Sequence, residues 1–354
     1  MPHHLSKSAV ARYLVDAARQ APSADNSQPF DFVWDGNALS IRFSQERGGK
    51  GIFGASAHAT VLAFGTVIEC MDQAAAAANI RLSWRWEDPS AGVFAQAGID
   101  GDVGVVGLPR GLPLFERHTN RFPYNRSPIP EATIDELVHR TEGEARVNVL
   151  TPGGDFGRLV DCIRTASESR FCTEELHNWL IGSLRLDAEA AGRGDGLDVA
   201  TLNLPPGGGL FMRVIADWQR MKALNRFGLF KFLAMTETQL LAQAPAMFCL
   251  IGKEGVSNTI DAGRLLARIW IELNSLGLAV HPYYVLTDQL IRMDSDGLPV
   301  DMIDRMADVR HRLPAIIGTG QNEMLHMLLR VGLPKRAVPR SKRLPLERVY
   351  SDRS

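Results

Sequence analysis

Residues 21–30 read Ala-Pro-Ser-Ala-Asp-Asn-Ser-Gln-Pro-Phe, and residues 117–121 read Arg-His-Thr-Asn-Arg. The first string gathers small hydroxyl and amide groups between two prolines, a set that can donate to and accept from the edge of a polar heterocycle. The second places two guanidiniums around a hydroxyl, the donor set of a phosphate site. Working outward, Val10, Tyr13, Leu14 and Ala17 share one face of a helix predicted over 8–19, which must end before Pro22. Residues 30–34 alternate as a strand, Asp35-Gly36-Asn37 signals a hairpin, and 38–43 returns. The first string therefore lies between a helix and a hairpin.

The same order of elements recurs along the chain. A long helix is predicted over 61–80, followed by a strand over 81–87; a second helix over 262–276 runs into another apolar stretch. The two helices align without gaps. Gly65 then matches Gly263, and Asn79 matches Gly277, a pair in which Asn and Gly both tolerate left-handed backbone. Upstream, 11–20 with 31–36 parallels 132–141 with 146–152 as helix, strand and turn. Two related halves are expected, residues 1–110 and 111–354, joined near 105–125. They differ where it matters. Half one carries the Pro-Ser loop and half two only Glu142-Gly143-Glu144-Ala145 in that place; half two opens on the arginine string and half one on Met-Pro-His-His. Half two also carries an insertion over 181–243, irregular to residue 210. A single amphipathic helix presenting Phe211, Ile215, Trp218, Met221 and Leu224 on one face is predicted to follow, and then a buried or lid helix beginning near Phe227. Its glycine-rich lead suits either core packing or a mobile lid.

Bulk properties narrow the function classes. A chain of 354 residues with 45% hydrophobic and 22% charged side chains is of ordinary globular composition. Lys and Arg number 39 against 40 Asp and Glu, so the global basic bias of a nucleic-acid binder is missing and a small-molecule substrate is expected. Cys70, Cys162, Cys172 and Cys249 are scattered, which argues against a disulfide framework or a zinc knuckle. No signal-like or membrane-spanning run is read, so the expected location is the cytoplasm. Phosphate-loop and dinucleotide-fold glycine motifs are missing, residues 54–58 miss the nucleophile elbow, and His58, His139 and His326 stand alone; no metal is expected.

The loop Pro22-Ser23-Ala24-Asp25-Asn26-Ser27-Gln28-Pro29-Phe30 resembles the Pro-Ser-x-x-Asn-x-Gln-Pro-aromatic loop of the FMN-dependent nitroreductase family. Arg117 to Arg121, followed by Pro128-Ile129-Pro130, resembles that family's Arg-x-Ser-x-Arg/Lys opening segment, and residues 329–334 with 343–347 resemble its last strand and basic C-terminal arm, here 330–354. The arginine string comes first in ordinary members and second here. That order is similar to the duplicated, lid-bearing group of nitroreductase-like proteins associated with bacterial dormancy, in which enzymatic activity is not assured.

The resemblance implies an α+β, nitroreductase-like fold of two related halves, each a mainly antiparallel sheet flanked by helices, with one FMN at their interface and NAD(P)H as electron donor. A monomer is compatible with it, because the dimer interface is internal. It implies that Arg117, Thr119 and Arg121 hold the phosphate, His118 contributing backbone. Pro22, Ser23, Asn26, Gln28 and Pro29 then shape and line the flavin edge. Arg340, Lys342 and Arg343 either add positive charge at the cofactor or form a solvated tail, and Ser341 departs from the family's usual lysine. The contact to flavin N5 falls on Tyr283 or His281, because Pro282 has no N–H. No catalytic side chain is required beyond the flavin, His281 being the one candidate proton donor. Three readings stand side by side: an oxidoreductase acting on nitro-aromatic, quinone or similar acceptors, a protein that sequesters FMN under a lid, and a scaffold that keeps only the fold.

Overall fold

A computed structural model describes residues 5–48, 52–100 and 108–354. Met1 to His4 and part of the expected junction near 105–125 lie outside the described residues. The chain opens with α1 (Lys7–Ala18), β1 (Phe30–Trp34), β2 (Ala38–Phe43), α2 (His58–Ala77), β3 (Arg81–Trp86) and β4 (Val93–Asp100). It continues with α3 (Glu131–Val138), β5 (Thr141–Glu142), β6 (Ala145–Leu150) and α4 (Gly154–Phe171). Next come α5 (Glu174–Ser183), β7 (Leu184–Arg185), α6 (Ala188–Gly192), β8 (Leu197–Asp198), α7 (Gly208–Ile215), α8 (Trp218–Asn225) and α9 (Leu229–Gln239). The last group is β9 (Ala246–Lys253), α10 (Val256–Ser275), β10 (Ala279–Tyr283), α11 (Val285–Met293), α12 (Ile303–Ile317), β11 (Glu323–Gly332) and β12 (Tyr350–Asp352).

The architecture is α+β, with two five-stranded sheets flanked by helices. Their orders correspond over four strands, β3-β4-β2-β1 in one and β10-β11-β9-β6 in the other; the fifth strands differ, β12 joining the first sheet from the end of the chain and β5 joining the second as the hairpin partner of β6. Within each sheet every neighbouring pair is antiparallel save one, β12 running parallel to β1 with Phe32 opposite Tyr350. That strand ends the C-terminal arm, which leaves β11 in the second sheet and finishes on the first.

Between the sheets, α2 and α10 cross at the two glycines that the sequence alignment paired. A Cβ on Gly65 would fall 2.9 Å from the Gly263 Cα, and one on Gly263 would fall 2.9 Å from the Gly65 Cα, so only glycine permits this approach. Each helix spans 20 residues, and each is followed by the expected left-handed position, Asn79 at φ 54° and Gly277 at φ 75°. Beside the crossing, Glu69 pairs with Arg268 (2.9 Å) and Asp72 with Arg264 (3.1 Å), and Glu142 reaches both arginines.

The insertion departs from expectation in two respects. The single amphipathic helix is two, α7 and α8, because the Asp217 side chain caps α8 by accepting from the Arg220 N–H (2.9 Å). Phe211 and Leu224 are exposed, while Ile215 and Met221 are buried. Nor is the helix near Phe227 buried. In α9 the small Ala234 and Thr238 pack inward, and Phe232 and Met235 face solvent. Among the described residues no helix is long and apolar enough to cross a membrane.

Candidate functional site at the seam between the sheets

The residues of the two strings meet where the end of α1, the C-terminal arm and the insertion converge. Arg117 is buried, stacks its guanidinium over Trp270 (4.6 Å to the ring centroid) and donates from Nη2 to the Gln20 carbonyl (2.8 Å). Arg343, from the arm, donates to the same carbonyl (3.0 Å) and to Asn26 Oδ1. Two cations therefore share one backbone oxygen past the end of α1, and no carboxylate pairs with either among the described residues. Burial pulls Arg117 down to about 10; burial, with Arg117 beside it, pulls Arg343 down to about 9. Both remain charged at neutral pH. The Arg117 Nε has no partner at all. Two enclosed, uncompensated guanidiniums with a free N–H form a donor set for an anion, and they fit the phosphate end of FMN.

Arg121 turns elsewhere. Its Nη1 approaches the Thr201 hydroxyl (3.4 Å) in the insertion, and its guanidinium lies in the field of Asp25, whose carboxylate accepts from Trp179 Nε1 (2.8 Å). The two arginines of the second string thus point into different surroundings, and the cation that shares the Gln20 carbonyl with Arg117 is Arg343. Thr119 is half-buried between them. His118 contributes backbone, its N–H donating to Asn274 Oδ1 (2.8 Å) and its carbonyl accepting from Trp270 Nε1 (3.0 Å). Arg340 is not part of the cluster: it pairs with Glu116 (2.6 Å) on the outer surface, where both side chains are largely exposed.

The Pro-Ser loop is held in unusual backbone. Asp25, Asn26 and Gln28 have φ of 46°, 58° and 51°, left-handed values that such residues adopt only when their surroundings fix them. Most of the fixing bonds come from outside the loop. Asn26 Nδ2 lies within 3.1 Å of the Gly196 and Lys342 carbonyls and 3.3 Å of that of Gly194. Gln28 Nε2 donates to the Gly194 carbonyl (2.8 Å), and its Oε1 accepts from the Leu344 N–H (3.1 Å). Ser23 Oγ accepts from the Gln28 N–H (2.9 Å). The Pro22 carbonyl accepts from Thr66 Oγ1 (3.3 Å) and the Pro29 carbonyl from the Ser44 N–H (2.9 Å), anchoring both ends of the loop on half one. The amides expected at a flavin edge therefore clamp the insertion and the arm onto the loop.

Beyond the loop, Tyr283 is buried with its hydroxyl 3.5 Å from the Glu237 carbonyl. His281 packs against it (4.3 Å between ring centroids) with Nδ1 unpartnered. Burial, then Arg330 and Arg121, hold His281 well below its ordinary pKa, so it is neutral. Two side chains outside the sequence assignments position the site. Arg330, fully buried in β11, donates to the Asn120 and Phe122 carbonyls (3.2 and 2.7 Å) and lies 3.9 Å from the Tyr124 ring centroid, fixing the arginine segment. Trp179 holds Asp25 from α5.

No family model matches the chain. Over 278 residues it is 25% identical to an uncharacterized protein of Mycobacterium tuberculosis, and it spans only 38% of that protein's length while 76% of the present chain is covered. Among solved structures it is similar to the FMN-dependent nitroreductase NfnB of Mycobacterium smegmatis in complex with NADPH, at 15% identity and a TM-score of 0.39, covering 67% of this chain and 94% of that one. It is also similar to a BluB-like flavoprotein of Clostridium difficile 630, at 10% identity and a TM-score of 0.40, covering 69% and 99%.

Proposed function

We propose that the chain binds one FMN at the seam between its two halves and serves as an FMN-dependent oxidoreductase, with NAD(P)H as donor and a nitro-aromatic, quinone or similar small molecule as acceptor. The observation that carries this reading is the cation pair of buried Arg117 and half-buried Arg343, which has no carboxylate partner among the described residues and comes from the two segments that resemble the family's phosphate segment and basic arm. These two residues would hold the phosphate, with Thr119 beside them. Ser23, Asn26 and Gln28 would meet the flavin edge once released from the insertion. When bound, the flavin supplies the redox chemistry, so the protein has to orient it, exclude water and set its charge environment. His281 would face it as a neutral N–H donor or acceptor, and Tyr283 as a buried phenol. The proposal extends to a monomeric protein of the cytoplasm that duplicated an ancestral half.

One observation favours the second reading, retention of FMN with little turnover. Asn26 and Gln28 make their donations to carbonyls of residues 194, 196 and 342, an arrangement that closes the insertion over the loop. Flavin content of the purified chain, followed by NADH and NADPH oxidation with a benzoquinone, tests both. Bound FMN with turnover supports the oxidoreductase, bound FMN without turnover the retaining protein, and a colourless chain that ignores added FMN removes both.

A further inference from the structure

Behind a cleft of about 200 Å3, three side chains from both halves form a continuous hydrogen-bonded line. The Tyr284 hydroxyl, between β10 and α11, is 2.9 Å from His58 Nδ1 at the start of α2. His58 Nε2 is 2.9 Å from Nδ1 of His326, which is fully buried in β11, and His326 Nε2 is 3.2 Å from the Lys253 carbonyl. The far end fixes the direction of the line. A carbonyl only accepts, so His326 carries its proton on Nε2 and its Nδ1 accepts from the His58 Nε2–H. His58 Nδ1 then accepts, and Tyr284 donates. Burial keeps both rings neutral, lowering His58 to about 3 and His326 to about 4, so the direction holds through neutral pH. Tyr284, which lines the cleft, has its proton committed inward and its oxygen available only as an acceptor.

The rest of the wall has a charge preference. Arg292 is shared by Glu175 (3.1 Å) and Asp288 (3.0 Å), leaving one carboxylate in excess at the cleft. Ile52, Phe53 and Ile291 supply an apolar side, and Phe53 is braced edge-on by Trp179 (5.1 Å between centroids). An acceptor-only phenol, a surplus negative charge and an aromatic wall together select a ligand with a donor, a positive charge and a ring.

We propose that this cleft is a second binding site, separate from the flavin seam, that takes a small aromatic amine as its ammonium, with an N–H on the Tyr284 oxygen, its charge toward Glu175 and Asp288 and its ring against Phe53. The proposal does not depend on the flavin reading. Its test is calorimetric titration of the purified full chain at neutral pH with benzylamine, with benzyl alcohol and benzoate as comparisons. Benzylamine is expected to bind more tightly than benzyl alcohol, and benzoate most weakly. Tyr284→Phe is expected to weaken benzylamine about tenfold, or ~1.4 kcal/mol. Glu175→Gln, at an exposed position whose loss does not threaten the fold, is expected to weaken benzylamine several-fold and leave benzyl alcohol unchanged. No saturable benzylamine binding up to ~10 mM, binding unaltered in both variants, or benzoate binding as tightly as benzylamine would each overturn the proposal.

Discussion

Arg117 and Arg343 make opposite demands on the protein with and without an anion. Enclosed together without a carboxylate, they cost the chain desolvation and mutual repulsion; with a dianion between them, they return charge-assisted hydrogen bonds. Arg343→Met is therefore expected to raise the melting temperature of the flavin-free protein while weakening FMN about 10- to 100-fold, the equivalent of one charged hydrogen bond. Thermal unfolding of the apo-protein and a fluorescence titration with FMN measure the two effects; a variant that loses stability and keeps its FMN affinity would show that Arg343 is structural. The motif picks out Arg117 and Arg121 for the phosphate and offers Arg340, Lys342 and Arg343 together as an arm, and nothing in the sequence separates Arg343 from Arg340. That distinction arises from the path of the arm, which turns Arg340 outward to Glu116 and Arg343 inward to Gln20. Asn26 and Gln28 are legible as a polar loop and illegible as a clamp, because the carbonyls they hold belong to a distant insertion. His58 and His326 look like isolated histidines in sequence, and only the packing of the two halves makes them neighbours.

At the scale of elements, α2 and α10 are legible in the sequence as a matched pair of helices, while their crossing at Gly65 and Gly263 is visible only in the fold. Both strands of the first hairpin, the left-handed positions after the two helices and the glycine pairing all follow from local pattern, since hydrophobic period, turn residues and caps are local physics. Gly65→Ala or Gly263→Ala places a methyl group against facing backbone, which cannot rotate away. Each is expected to cost about 1–3 kcal/mol in denaturant unfolding, the range of overpacked cores. A loss below ~0.5 kcal/mol would mean the helices do not pack this closely. The insertion was harder to read because the Asp217 cap breaks a hydrophobic period that runs on through it, and because exposed Phe227, Phe232 and Met235 carry the same apolar signal as a core helix. Its attachment to the Pro-Ser loop has a consequence of its own. Asn26→Ala removes the donor held by three carbonyls, so the segment around residues 192–201 is expected to become more sensitive to limited proteolysis, and NAD(P)H oxidation by an FMN-loaded chain to rise. Unchanged cleavage and unchanged turnover would indicate that other contacts close the insertion.

Across the whole molecule, three histidines held neutral by desolvation, His326 buried and His58 and His281 half-buried, make stability depend on pH in a defined direction. His58, His326 and His281 have folded pKa values below the unfolded value of about 6.5, so between pH ~6.5 and ~4 the unfolded chain takes up protons that the folded one does not. Their contribution is fully present above pH ~6.5 and falls as the solution is acidified, by up to ~1.4 kcal/mol per pH unit for each histidine. Denaturation midpoints measured from pH 7.5 to 4.5 should decline over this window, and His326→Phe should lessen the slope; a flat profile would place these rings in contact with water. The two sheets share the order of four strands, the arm of one completes the other, and α2 faces α10 through matched glycines. In our account this arrangement is a dimer folded within one chain that kept one of its two ligand sites, the Pro-Ser loop standing in one half and the cation pair in the other. Flavin stoichiometry tests this most directly, measured by denaturing the FMN-saturated protein and quantifying released FMN against chain concentration. The account predicts one FMN per chain, and two per chain, or none, would contradict it.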